Sequence, residues 1–312
     1  MIRRIYRAIR RRFIKVGRKF KKIVPVYVPV MQDELLNGRC ALITGGTSGI
    51  GYAIAKRFLC MGADVIITGR NKEHVQEKAV ELRKEEGVKG NVFALQMDNT
   101  ELDKIDAKFE EALELAKDTK IDILVNNAGT MSSNGFGKIT ANDLESVLST
   151  NLKSAVLLSQ CAAKYMKKNN IEGNILYVCS SSSLRPAVTP YNLSKWGLNG
   201  FTLGLAKTLI QYGIVVNAIA PGPTATPFLI KDGYDGLELS SLPNGRYSTA
   251  EEIAGMSAIL VSNMARTCVG TTVYMTGGGR NYHVRRRAVR NVGIISQKNN
   301  SPFCLLHNRE AA

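Results

Sequence analysis

From Arg39 onward the chain alternates short apolar runs with longer segments whose apolar positions recur every three or four residues. The short runs are Cys40–Thr44, Asp64–Thr68, Asn91–Gln96, Ile121–Val125, Asn174–Val178, Ile214–Ile219 and Thr271–Met275. Most are continuous rather than alternating, as a parallel strand covered on both faces requires. Between them the spacing predicts helices to about Met61, over Asn71–Glu86, about Thr100–Lys117, about Ala141–Asn169, Pro190–Tyr212 and Thr249–Val261. Such alternation predicts an α/β protein built on a doubly wound parallel sheet. Residues 228–248 interrupt it with Gly233, Gly236, Pro243 and Gly245, and read as a mobile loop or lid.

Composition narrows the classes. The chain has 312 residues, 45% of them hydrophobic, enough for one large core. It contains no apolar run of about 18 residues, so no spanning helix is expected. Six scattered cysteines form no C-x-x-C pair, and there are three histidines. That argues against a structural metal or redox motif and for a reducing, cytoplasmic setting.

The net charge of +16 is unevenly placed. Residues 1–24 hold eleven Lys/Arg and no acid, and residues 280–312 hold seven Lys/Arg and one acid, Glu310. The remainder holds 24 bases and 25 acids. The expected organisation is a basic amphipathic extension over 1–37, a near-neutral α/β domain over 38–279 and a basic tail over 280–312. Ile2, Ile5, Ile9, Phe13, Val16 and Phe20 share one helical face. This arm reads as a contact to an anionic membrane surface or as a plain partner-binding extension. A mitochondrial leader fits less well, because no serine precedes Ser48. Nucleic-acid binding is not favoured, since the arm interleaves no aromatic reading module.

The first strand runs into Thr44-Gly45-Gly46-Thr47-Ser48-Gly49-Ile50-Gly51, which opens the first helix. Glycines here permit a tight turn and close approach of a pyrophosphate to backbone N–H groups at a helix N-terminus. Asn126-Asn127-Ala128-Gly129 follows the fourth strand, Tyr191-x-x-x-Lys195 opens a long helix, and Pro221-Gly222-Pro223-Thr224-Ala225-Thr226 follows the sixth strand. In this order the four motifs resemble those of the short-chain dehydrogenase/reductase family, over about residues 38–279. The resemblance implies a Rossmann-type fold, a nicotinamide cofactor, hydride transfer between a small-molecule carbonyl and its alcohol, and a homo-oligomer. It implies cofactor contacts at Gly45, Thr47, Ser48, Gly49, Ile50, Gly51, Asp98, Asn127, Ala128, Gly129, Pro221, Gly222 and Thr226, together with Tyr191 and Lys195. The second strand ends in Gly69-Arg70, where an acid would suit NAD(H) by bonding the ribose hydroxyls. Arg70 instead suits a 2′-phosphate, so NADP(H) is preferred and NAD(H) stays open.

Tyr191 and Lys195 are four apart and share a helix face. A free tyrosine titrates near about 10, and a neighbouring ammonium favours the phenolate, which gives the pair a reason in acid/base chemistry. By resemblance Lys195 also bonds the nicotinamide ribose, Ser180 holds the carbonyl oxygen, and Asn151 holds a water in a proton relay. Four consecutive serines leave Ser181 as the alternative to Ser180, while Ser182 and Ser183 read as turn residues. Cys179 reads as a small strand-end residue, with no histidine near to activate it. The substrate reads as a ketone or secondary alcohol, with 3-oxoacyl thioesters among the candidates. The competing reading is a non-catalytic nucleotide-binding scaffold tethered by the basic arm. The intact Asn151, Ser180, Tyr191 and Lys195 set counts against it.

Overall fold

The computed structural model describes residues 34–230 and 236–279. The two basic ends, with their membrane, leader and tail readings, lie outside the described residues. Seven strands form one parallel sheet: β1 (Cys40–Ile43), β2 (Asp64–Gly69), β3 (Val92–Gln96), β4 (Ile121–Asn126), β5 (Asn174–Val178), β6 (Val215–Pro221) and β7 (Thr272–Met275). Their order is β3-β2-β1-β4-β5-β6-β7, with every neighbouring pair parallel. The expected doubly wound, Rossmann-type sheet is the observed one.

The seven α-helices among the described residues are α1 (Gly49–Cys60), α2 (Lys72–Lys84), α3 (Ile105–Leu115), α4 (Ala141–Leu148), α5 (Ser154–Lys168), α6 (Pro190–Leu209) and α7 (Ala250–Val261). Successive residues of β1 serve opposite faces, as the strand period demands. Ala41 and Ile43 pack with Phe58 and Leu59 of α1, Val75 and Leu82 of α2 and Ile253 of α7. Cys40 and Leu42 pack with Phe109 of α3, Leu158 and Met166 of α5 and Leu198 of α6. Both faces are therefore covered, which is why these strands are apolar at every position. The helix starts are specified locally. The Asn71 side chain accepts from His74 N at 2.7 Å at the head of α2. Thr140 with Asp143, and Thr249 with Glu252, form capping boxes on α4 and α7.

Two sequence expectations change. The single helix over about Ala141–Asn169 is two helices joined by a π-helical turn, Ser149–Lys153. Such an extra residue per turn is a local insertion that no apolar period signals. The stretch 236–248 is tied down rather than draped over the site. Arg246 forks onto Glu252, Nη2 to Oε1 at 2.6 Å and Nη1 to Oε2 at 2.9 Å. Asn244 N donates to Gly277 O at 3.1 Å, and Leu242 is buried.

At the amino-terminal rim of the sheet Arg39 ion-pairs with Asp122, and its other nitrogens donate to Asn174 Oδ1 at 2.9 Å and Val261 O at 3.2 Å. Asp122 Oδ1 also accepts from Cys40 N at 3.0 Å. Burial pushes the Asp122 carboxyl above its ordinary range, against the opposing pull of Arg39. This polar clamp joins β1, β4, β5 and the end of α7 at the rim opposite the cleft.

Candidate active site

Strand order reverses between β1 and β4, so their carboxyl ends diverge and leave a crevice. A cleft of about 520 Å³ opens there. Its wall includes Gly45, Thr47, Ser48, Gly49 and Ile50 from the first turn, Arg70 after β2, and Asp98 after β3. Asn127, Ala128 and Gly129 after β4, Ser180 after β5, Tyr191 and Lys195 on α6, and Pro221, Gly222 and Thr226 after β6 complete it.

The glycine turn is shaped for close approach. Gly45 has φ +64° and Gly49 φ +53°, the left-handed region that favours glycine. Gly51 lies behind the wall, where a Cβ would stand 2.2 Å from Gly45 O. It is therefore a packing glycine that lets α1 begin against the turn. Thr44, quoted above only as the start of the motif, turns out to hold two motifs together. Its Oγ1 accepts from Asn127 N at 2.9 Å and Ala128 N at 3.0 Å and donates to Val125 O at 3.4 Å. Asn127 Nδ2 returns to Thr44 O and Gly45 O, both at 2.9 Å. Only the position of a small hydroxyl residue at the strand end, beside the strand that carries the asparagines, could have signalled this.

At the β2 end, a Cβ on Gly69 would meet Val75 Cγ2 at 2.8 Å and Thr47 Cγ2 at 3.0 Å. An acidic side chain is therefore excluded by packing as well as absent. Arg70 is exposed, and its guanidinium has no ion-pair partner among the described residues. Asp98 Oδ1 is occupied by Thr100, accepting from N at 2.9 Å and Oγ1 at 2.8 Å.

At the β5 end, Thr189 caps α6 and Pro190 supplies its first residue, which sets Tyr191 and Lys195 in its first two turns. Lys195 is 4% exposed, and its Nζ donates to Val178 O at 2.8 Å. The same ammonium stands 5.6 Å from the centre of the Tyr191 ring. Ser180 begins a short 3₁₀ turn, Ser181–Leu184, and its Oγ accepts from Ser182 N at 3.1 Å. Its hydroxyl proton is left for an acceptor in the cleft. Ser181 and Ser182 line the cleft beside it, whereas Ser183 is buried and donates to Ser180 O at 2.8 Å. Burial pushes the Cys179 thiol up to about 11 despite nearby Lys195, so it is no thiolate nucleophile.

Asn151 is 1% exposed and sits in the π-helical turn behind the cleft wall. Its Oδ1 accepts from Thr130 N at 2.8 Å, and its Nδ2 donates to Thr130 O at 2.9 Å and Ser194 Oγ at 3.0 Å. Ser194 in turn donates to Tyr191 O at 2.7 Å. Asn151 thus ties the strand-end loop after Gly129 to the turn that carries Tyr191. Ser194 is a positioning residue that a lone serine in a helix does not announce. Asn126 lies in β4 and donates to Ser159 Oγ of α5 at 3.2 Å, a strand-to-helix contact rather than a cleft contact. Phe228 and Leu229 enter the wall near Tyr191, with the Tyr191 and Phe228 rings 6.4 Å apart. Residues 236–248 supply none of the wall.

The turn, the dipole of α1 and the unpaired Arg70 form a cradle that fits a dinucleotide. Comparison with known proteins agrees with that fit. The family model for short chain dehydrogenases matches residues 39–234. The 3-oxoacyl-[acyl-carrier-protein] reductase FabG of Aquifex aeolicus is 35% identical over 251 residues, 78% of this chain and 98% of that protein. A short chain dehydrogenase from Burkholderia cenocepacia J2315, solved in complex with NADP, superposes with a TM-score of 0.69 at 32% identity, covering 78% of this chain and 98% of that one. A 3-ketoacyl-(acyl-carrier-protein) reductase from Brucella melitensis, complexed with NADH, gives a TM-score of 0.68 at 30% identity with the same coverage. With the family model matching residues 39–234 and these relatives covering 78% of the chain, the protein belongs to the short-chain dehydrogenase/reductase family of oxidoreductases.

Proposed function

We propose that this chain interconverts a ketone and its secondary alcohol with NADP(H), using Tyr191 as the acid/base group. The observation that carries the reading is the convergence of Ser180, Tyr191 and Lys195 on one wall of the cleft that the glycine turn opens. The dinucleotide, when bound, supplies or takes up the hydride. In the reducing direction Tyr191 gives its phenolic proton to the substrate oxygen, and in the oxidising direction it removes the hydroxyl proton. Ser180 donates its free hydroxyl proton to the same oxygen and so fixes the carbonyl. Lys195, held by Val178 O, stands 5.6 Å from the centre of the Tyr191 ring, beside the group that gives or takes the proton. Asn151 and Ser194 hold the wall against the start of α6, so that Tyr191 keeps its place.

The preference for NADP(H) is supported by Gly69, where a side chain would clash, and by Arg70, whose guanidinium is free to fork onto a 2′-phosphate. The 35% identity to a 3-oxoacyl-[acyl-carrier-protein] reductase makes acyl thioesters the first substrates to try. Loss of NADPH absorbance with an acetoacetyl thioester, in wild type and in Tyr191→Phe, tests the reading. Turnover in the wild type alone is expected. Equal turnover in both would overturn the role of Tyr191.

A further inference from the structure

Among the described residues three cationic side chains line the cleft: Arg70, Arg185 and Lys195. Lys195 is engaged with Val178 O and the Tyr191 ring, and Arg70 stands at the dinucleotide end. Arg185 has no role in the reaction as described above. It is half-buried, and its guanidinium has no ion-pair partner among the described residues. Among the described residues the acid in the wall is Asp98, which follows β3, four strands from β5 and therefore roughly 19 Å across the sheet. Among those residues Arg185 is a charge without a counter-ion, in a wall that also holds Phe228 and Leu229.

Its backbone is fixed. Pro186 follows it, which restricts residue 185 to extended conformations, and the observed angles are φ −103° and ψ 153°. Arg185 N donates to Ser182 O at 3.2 Å, and Arg185 O accepts from Trp196 Nε1 at 2.7 Å. The guanidinium thus projects from a point clamped between the serine turn and α6, the two elements that carry Ser180 and Tyr191. It follows the turn at the end of β5, whereas Arg70 follows β2, three strands along the sheet.

We propose that Arg185 is a specificity residue that binds an oxyanion, carboxylate or phosphate, on the carbonyl substrate itself. This rests on the reductase reading above for where the carbonyl sits, but the binding it describes is measurable without turnover. A planar fork of donors matches either oxyanion, and partial burial strengthens the contact relative to open solvent.

Trp196 is the single tryptophan of the chain and bonds directly to Arg185 O, so its emission reports on this site. The full-length protein, saturated with NADP+ so that no reduction occurs, is titrated with two pairs of probes. The first pair is levulinate and methyl levulinate; the second is S-acetoacetyl-4′-phosphopantetheine and S-acetoacetyl-pantetheine. In the wild type the anionic member of at least one pair should bind ten-fold or more tighter than its neutral partner. Preference in the first pair alone identifies a carboxylate, and in the second alone a phosphate. Arg185→Gln should bring the ratio to within two-fold of unity and leave the neutral probes unchanged, and Arg185→Lys should restore part of it. No anion preference in the wild type, or one that survives Arg185→Gln, overturns the proposal. Tyr191→Phe should keep the preference while losing turnover with NADPH. Retained turnover in that variant would overturn the acid/base role of Tyr191, and no turnover in the wild type would sink the reductase reading; either would leave the Arg185 result standing.

Discussion

Arginines stand at both rims of the sheet, and they are treated in opposite ways. At the amino-terminal rim Arg39 has an ion pair and two further acceptors, and the group it meets is itself bonded to backbone. At the carboxyl rim Arg70 and Arg185 line a cleft with no ion-pair partner among the described residues. A buried charge left unpaired is costly, so the first rim is closed by side chains of the protein. The second rim leaves charge open to solvent and to ligands, and its tightest hydrogen bonding goes instead into backbone shape, through Thr44, Asn127 and Asn151. Stability and function are thereby separated by the length of a strand.

Substitutions at the two rims should therefore fail in different assays. The largest effect is expected for Tyr191→Phe, with kcat falling by about 10³-fold through loss of the acid/base group, while the melting temperature and NADPH binding hold. A parallel loss of folding stability would mean that this rim is structural too. Next is Arg39→Ala, which strands the buried Asp122 carboxyl. Denaturant unfolding should show a loss of about 3 kcal/mol, with the kcat of the surviving folded enzyme little changed. Because burial holds the Asp122 carboxyl high in the folded state, it binds its proton more readily there than in the unfolded chain. The penalty in that variant should shrink as pH falls and the carboxyl becomes neutral.

A smaller change is expected for Arg70→Ala: the KM for NADPH should rise by about ten-fold, equivalent to about 1.4 kcal/mol, with the KM for NADH unchanged. Equal effects on the two cofactors would remove Arg70 from phosphate recognition. The smallest concerns Glu252, whose carboxyl is held down at about 2 by the Arg246 fork and Thr249 N. Its folded value lies below the unfolded one, so its contribution is complete above the ordinary carboxylate range and is lost as pH falls through about 2. The pair is well exposed, so Glu252→Gln should cost at most about 1 kcal/mol at neutral pH, and nothing near pH 2. Unfolding curves at the two pH values would show it.

The seven strands were legible because a parallel strand covered on both faces must be apolar throughout, and few other elements of that length are. The cofactor end was legible for a related reason. Gly45 and Gly49 are demanded by backbone geometry, Gly51 by packing against Gly45 O and Gly69 by packing against Val75 and Thr47, so the residue types cannot drift far. The substrate end was not. Residues 228–248 read as a lid, yet 236–248 is pinned to α7 and the end of β7, and only Phe228 and Leu229 of the described part face the cleft. Nothing local in Arg246 or Glu252 says that they meet each other rather than a substrate.

What the sequence determined by itself was the periodicity of its elements and the chemistry of its turns, because both are set by neighbours within a few residues. The tertiary structure alone decided which side chains share a wall. It placed Asn151 behind the cleft in a π-helical turn and bonded it to Ser194, 43 residues away. It gave Thr44 two N–H donors from beyond β4, and left Arg70 and Arg185 open while closing Arg39 onto Asp122. The physical reason is that a hydrogen bond or ion pair between distant residues depends on strand order and register, which the chain sets only when the whole sheet assembles.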